Sequence, residues 1–213
     1  SIYDNRVEVG VTTRYFWADG NAGFNISNSR EDDYEARSMS FDLAWNSDNN
    51  SRTWTASLSS SNDTVEPVKE NIPVFIDREE LETQSAYFGV SQVLSSTAIA
   101  RIGLGYTVSD GYLSDPYKLN DSRPDTHDRF TLDGGYRRYF IEQRGALQLN
   151  YRYYSDDWGT DSHTGEIAWY QEIKQHSLKP YIRYYRQSRA DFFQTTADLS
   201  LPFFADDYRL SEY

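Results

Sequence analysis

Hydrophobic and polar residues alternate with a period of two along most of the chain, the pattern of a strand with one apolar face rather than of a helix. Val7, Val9, Val11, Thr13 and Tyr15 alternate with Glu8, Gly10, Thr12 and Arg14. Met39, Phe41, Leu43 and Trp45 alternate with Ser38, Ser40, Asp42 and Ala44, and Trp54, Ala56 and Leu58 with Thr53, Thr55 and Ser57. The pattern recurs at Ala86–Val90, Ala100–Tyr106, Phe130–Tyr136, Leu147–Tyr153, Ile167–Trp169 and Ile182–Tyr184. Nine strands are expected, most of about 8 to 11 residues, a length that crosses a bilayer when tilted.

The connections suggest how these strands are arranged. Ser47–Ser51, Leu94–Thr97, Ile141–Gly145 and Glu172–Ser177 read as short turns, whereas Trp17–Arg37, Ser59–Thr83, Val108–Asp128, Tyr154–Ser162 and the stretch after Arg186 read as long loops. Short and long connections alternate, which predicts an all-β, up-and-down antiparallel barrel of the outer-membrane type. Short turns are then periplasmic and long loops extracellular. Aromatic residues fall at both ends of the strands, as headgroup-level anchoring requires. Trp45, Trp54, Phe140 and Trp169 are expected near the short turns, and Tyr15, Tyr106, Phe130, Tyr153 and Tyr184 near the opposite end. The run Asp207–Tyr213 reads as the start of a tenth strand. Residues 1–213 are therefore expected to form one barrel domain that lacks its C-terminal strands, about twelve in full.

Composition narrows the possibilities. The 213 residues include 33 acidic and 21 basic side chains, for a net charge of −12, and no cysteine. The mean hydropathy of −0.76 is low, yet 18 Tyr, 11 Phe and 5 Trp argue against a disordered chain. A barrel reconciles the two, since only the outward half of each strand is apolar. No apolar run reaches the roughly 18 to 20 residues of a membrane helix. No basic n-region and apolar h-region open the chain, which reads as mature or cytosolic. The charge disfavours nucleic acid as a partner, and a chain without cysteine has no disulfide or thiolate chemistry.

The segment Gly111-Tyr112-Leu113-Ser114-Asp115-Pro116-Tyr117-Lys118 resembles the signature of a bacterial family of outer-membrane barrels catalogued as a domain of unknown function. Arg123-Pro124-Asp125, the run Tyr151 to Gly159 (Y-R-Y-Y-S-D-D-W-G), Tyr184 to Ser188, Ala190 to Phe193 and Asp207 to Ser211 (D-Y-R-L-S) continue the resemblance in order. It covers about residues 80 to 213. The resemblance implies the outer membrane of a Gram-negative cell, and a link to small periplasmic lipoproteins and flavin-dependent electron transfer. It supplies no catalytic residues.

Polar strand positions are expected to face a lumen: Glu8, Arg14, Asp42, Arg101, Arg129, Asp133, Arg137, Asn150, Arg152, Glu166, Lys179 and Arg183. Arginine dominates this set, which suits either an anion-preferring pore or an ion-paired network filling a narrow barrel. The second is the simpler reading for ten to twelve strands. Among the loop motif residues, Tyr112, Leu113, Ser114, Asp115, Pro116, Tyr117, Asp156, Asp157, Trp158, Asp191 and Phe192 place apolar groups beside carboxylates. Packing among the loops themselves is the simplest account of them. Their acids lack the spacing of a calcium loop, so no metal or cofactor is expected, although divalent ions could bridge loop carboxylates to lipopolysaccharide. His163 with Ser162 and Asp161 allows an outer-leaflet lipid hydrolase to be drawn, but neighbouring strand residues face opposite sides. The expected function is a non-enzymatic scaffold or conduit for a small lipoprotein, a redox partner or a solute. An anion-leaning porin is the alternative, and lipid and lipopolysaccharide are its surroundings.

Overall fold

The structure, a computed structural model, describes residues 5–47, 49–67, 76–118, 121–196 and 201–213. Residues 68–75, within the connection expected over Ser59–Thr83, lie outside them. Antiparallel strands follow one another in chain order: β1 (Val7–Trp17), β2 (Gly20–Arg30), β3 (Tyr34–Asn46), β4 (Arg52–Val65), β5 (Glu79–Ser95), β6 (Ala98–Gly111), β7 (Thr126–Phe140), β8 (Gly145–Asp156), β9 (Asp161–Ile173), β10 (His176–Leu178) and β11 (Tyr181–Gln187). β10 and β11 both pair with β9 and form a single pass, interrupted at Lys179 and Pro180. Proline has no N–H to give to a ladder. The sheet thus makes ten passes. It is open: among the described residues β1 pairs only with β2, and β11 only with β9.

Four expectations are corrected here. The stretch Trp17–Arg37 is not a long loop, because β2 lies within it and pairs along its whole length with β1 and β3. That extra pass reverses β1, so Tyr15 lies level with Ala22 and Leu43 at the short-turn end, the same end as Trp45, rather than at the opposite end. Asp207–Tyr213 begins no strand. The Asp207 side chain accepts from the Arg209 N–H and winds Tyr208–Leu210 into a single 3-10 turn. Tyr154–Ser162 is not a long loop either: β8 runs on to Asp156 and β9 starts at Asp161, which leaves a turn of residues 157–160.

Register divides the sheet into two faces, because side chains alternate and paired residues share a side. One face carries Val11, Phe24, Phe41, Leu58, Phe88, Leu104, Leu132, Leu149, Ile167 and Ile182 in adjoining rows. All nine aromatic residues expected at the belts lie on this face. On β6 its positions run from Ala100 to Val108, about 27 Å of strand at roughly 3.4 Å per residue. Beyond them toward the long loops the same face turns polar, with Arg37, Asn62, Glu82 and Asp110.

The apolar face is open, with Ile182 78% exposed and Val9 68%. Among the described residues no second layer covers it. The buried apolar cluster lies elsewhere, at the long-loop end, where Trp158, Ala190, Phe192 and Ala205 pack with Leu113, Phe193 and Leu210.

Candidate functional site

The long-loop end is closed by a cap made from three separated parts of the chain. Residues 188–196 and 201–213 fold back over the loop that precedes β7 and the turn between β8 and β9. Backbone bonds fix this course: the Asp191 N–H donates to Trp158 O (2.8 Å), the Ala190 N–H to Leu210 O (2.9 Å) and the Ser122 N–H to Phe204 O (2.7 Å). The Trp158 Nε1–H donates to Thr126 O (2.8 Å). His127 stacks on the Trp158 ring, with centroids 3.7 Å apart and planes 6° apart, and Phe192 meets that ring edge-on at 5.0 Å. Asp156 anchors the turn by accepting from the backbone N–H groups of Trp158 (3.1 Å) and Thr160 (2.7 Å), and its Oδ2 lies 3.1 Å from His127 Nε2.

An ion network centred on the buried Asp207 ties the cap together. Arg123 donates twice to Asp121, both at 2.8 Å, and once to Asp207 at 3.3 Å. Arg209 also donates to Asp207, at 3.0 and 3.1 Å. Burial alone would raise the Asp207 carboxyl, but the hydrogen bonds from Arg209 and the charges of Arg209 and Arg123 lower it to about 2. The Arg123 guanidinium is held above its usual value despite burial, chiefly by Asp121. Gln187, at the end of β11, donates to Arg209 O and Ser211 O, both at 2.9 Å.

The loop motif residues singled out from sequence therefore gather at one end of the sheet. Leu113, Trp158 and Phe192 pack together, Ser114 accepts from the Arg123 N–H (2.9 Å), and Asp115 accepts from the Tyr117 N–H (3.0 Å). Asp157 accepts from the Asp128 N–H at 2.9 Å. The acids of this end form no group of three or more spaced to hold a metal ion among the described residues.

The second candidate region is the polar face. Its register brings Glu8, Arg14, Asp42, Arg101, Arg129, Asp133, Arg137, Asn150, Arg152, Glu166 and Arg183 to one side of the sheet, and Lys179 Nζ sits 4.9 Å over the Tyr170 ring on that side. Part of it is paired: Arg14 grips Asp42 with bonds of 2.7 and 2.9 Å, and Arg129 donates to Ser109 Oγ at 2.6 Å. The rest is not. Among the described residues Arg101, Arg137, Arg152 and Arg183 form no salt bridge with a carboxylate.

Asp133 stands across the register from Arg152, and Glu166 from Arg183. Each acid instead faces a neutral donor, Tyr87 Oη to Asp133 at 3.4 Å and Asn150 Nδ2 to Glu166 at 3.5 Å. Tyr87 had no distinguishing sequence signal of its own. The signal lay in Gly103 and Gly135, polar-face positions where a Cβ would fall 2.1 Å from Tyr87 Oη and 2.7 Å from Arg101 Nε. These glycines let a tyrosine and an arginine lie flat across the strands. Ser162 and His163 face opposite sides, and His163 Nδ1 pairs with Tyr151 Oη at 2.7 Å on the apolar side.

No curated protein matches the chain. A family described as "Protein of unknown function (DUF3570)" matches residues 1–213, and the chain belongs to that family.

Proposed function

We propose that this chain forms the wall of an outer-membrane β-barrel that conducts small hydrophilic solutes, with a preference for anions. The observation that supports this most directly is the division of the sheet into one continuous, uncovered apolar face and one polar, arginine-rich face. In water such a sheet would need a second layer over its apolar side. In a bilayer, acyl chains supply that layer. The free edges of β1 and β11 would have to be paired there, since an unsatisfied backbone group in hydrocarbon costs several kcal/mol. Short turns would then lie in the periplasm and the cap outside the cell, among lipopolysaccharide headgroups. Arginines free of carboxylates set the sign of selectivity.

Planar-bilayer recordings test the proposal. Steady currents are expected, with a reversal potential displaced in the anion direction under a salt gradient. Replacing Arg101, Arg137, Arg152 and Arg183 with glutamine should remove most of that displacement. A compact monomer that stays soluble without detergent would refute it.

The cap favours a second reading. Loops bound over one mouth suit a scaffold that holds a small lipoprotein or redox partner. Electrically silent membranes, together with a stoichiometric small protein in the purified material, would favour that reading over the conduit.

A further inference from the structure

Within the polar face, Arg101, Arg152 and Arg183 line one hollow of about 470 Å³ together with Tyr87, Asp133 and Glu166. Asn150, Thr131 and Thr164 complete its polar wall. The volume lies in the range of small-molecule sites. Gly103 and Gly135, beside it, leave room for Tyr87 and Arg101 to lie across the strands.

The charges inside are arranged unusually. Opposite charges directly across an antiparallel register normally meet. Here Asp133 and Glu166 instead face the Tyr87 hydroxyl and the Asn150 amide, and the register partners Arg152 and Arg183 form no salt bridge among the described residues. Three guanidiniums thus converge on one space, each with the planar donor fork that matches an oxyanion. The same wall carries carboxylate and amide oxygens that can accept from hydroxyl groups.

We infer that this hollow is a binding site for a hydroxylated organic anion, a sugar acid or sugar phosphate, with the oxyanion held by Arg101, Arg152 and Arg183. Asp133, Glu166 and Asn150 receive the hydroxyls. The inference rests on the proposal that the polar face lines a solvated interior, and it specifies what that interior selects. A neutral sugar gains only the hydroxyl contacts. A simple inorganic anion gains only the guanidiniums.

Calorimetric titration of the native protein in detergent micelles tests this separately from conduction. The probes are glucuronate, glucose 6-phosphate, glucose and inorganic phosphate. Both sugar anions should bind saturably, and more tightly than glucose or inorganic phosphate. The double variant R152Q/R183Q should weaken both by about tenfold or more, given the strength of charge-assisted hydrogen bonds, while keeping the native strand signal in circular dichroism. D133N should weaken the sugar anions but not inorganic phosphate. Equal binding of glucose and glucuronate would overturn the inference, as would a double variant that binds like the native protein. Binding of inorganic phosphate as tight as that of the sugar anions would reduce the site to an adventitious ion only. Conduction without saturable binding would sink this inference and leave the barrel proposal standing, whereas loss of membrane partition would sink that proposal first.

Discussion

Asp207 shows how much of the cap depends on one side chain. Its carboxylate is buried between Arg123 and Arg209 and also winds the turn that carries Leu210 into the apolar cluster. Its folded value, about 2, lies below the roughly 3.9 of an unfolded aspartate. The stabilisation it contributes is therefore fully present above about pH 4 and is lost as pH falls through the folded value. Acidification from pH 5 to 2 should expose the bonds after Arg186 to limited proteolysis while the sheet persists. Asp207→Asn should produce the same exposure at neutral pH, with a loss of about 2 kcal/mol, the scale of a hydrogen bond to a charged group. Trp158→Ala removes the ring that His127 and Phe192 pack against. Truncating a packed tryptophan costs about 3–5 kcal/mol, so hydrogen exchange should accelerate across 188–213 and leave β3 to β6 unchanged.

At the scale of the element, β2 is the strand that local pattern concealed. Gly20, Asn21, Gly23, Asn25, Asn28 and Ser29 are residues of turns, and only Phe24 and Ile26 stand out as large apolar groups. β1 and β3 pair with β2 at every position on both sides, and this tertiary pairing overrides weak intrinsic strand preference. The absence of cysteine makes a direct test clean. Spin labels placed singly at 22, 24 and 26 should be reached by lipid-soluble oxygen, and labels at 21, 23 and 25 by an aqueous nickel chelate. A uniform response would remove β2 from the sheet. Gly111 closes β6 with φ +124, and a Cβ there would lie 2.2 Å from Glu80 O. Gly111→Ala should therefore cost about 1–3 kcal/mol from backbone strain alone, read by urea unfolding in micelles. The tail misled for the opposite reason: Tyr208 and Leu210 alternate with Arg209 and Ser211 as a strand would, but the hydrogen bond that the Asp207 side chain accepts from the Arg209 N–H holds them in a turn.

The whole molecule inverts the usual arrangement of a folded chain. Its largest apolar surface lies uncovered on one face of the sheet and its polar residues share the other, so almost no side-chain burial supports the sheet itself. Backbone pairing and the surrounding medium must do so. In detergent the protein should migrate faster on gels unheated than boiled, as a barrel that resists unfolding does. The unheated form should disappear when Trp45, Trp54 and Trp169 are all replaced by serine, since these rings share one end of the apolar face. A mobility unaffected by heating would count against a closed barrel.

Sequence by itself determined the two faces, because alternation is a property of neighbouring residues and needs no knowledge of partners. It placed Met39, Phe41 and Trp45 on one side and Asp42 on the other, and it named the motif residues that the fold draws together. Tertiary structure alone decided the number of passes, the end at which Tyr15 lies, and the meeting of Leu113, Trp158, Phe192 and Leu210. It also decided that, among the described residues, Arg152 and Arg183 form no salt bridge with the acids opposite them. Those outcomes depend on which strand pairs with which and on where Gly103 and Gly135 leave room, relations between residues far apart in the chain that no local pattern carries.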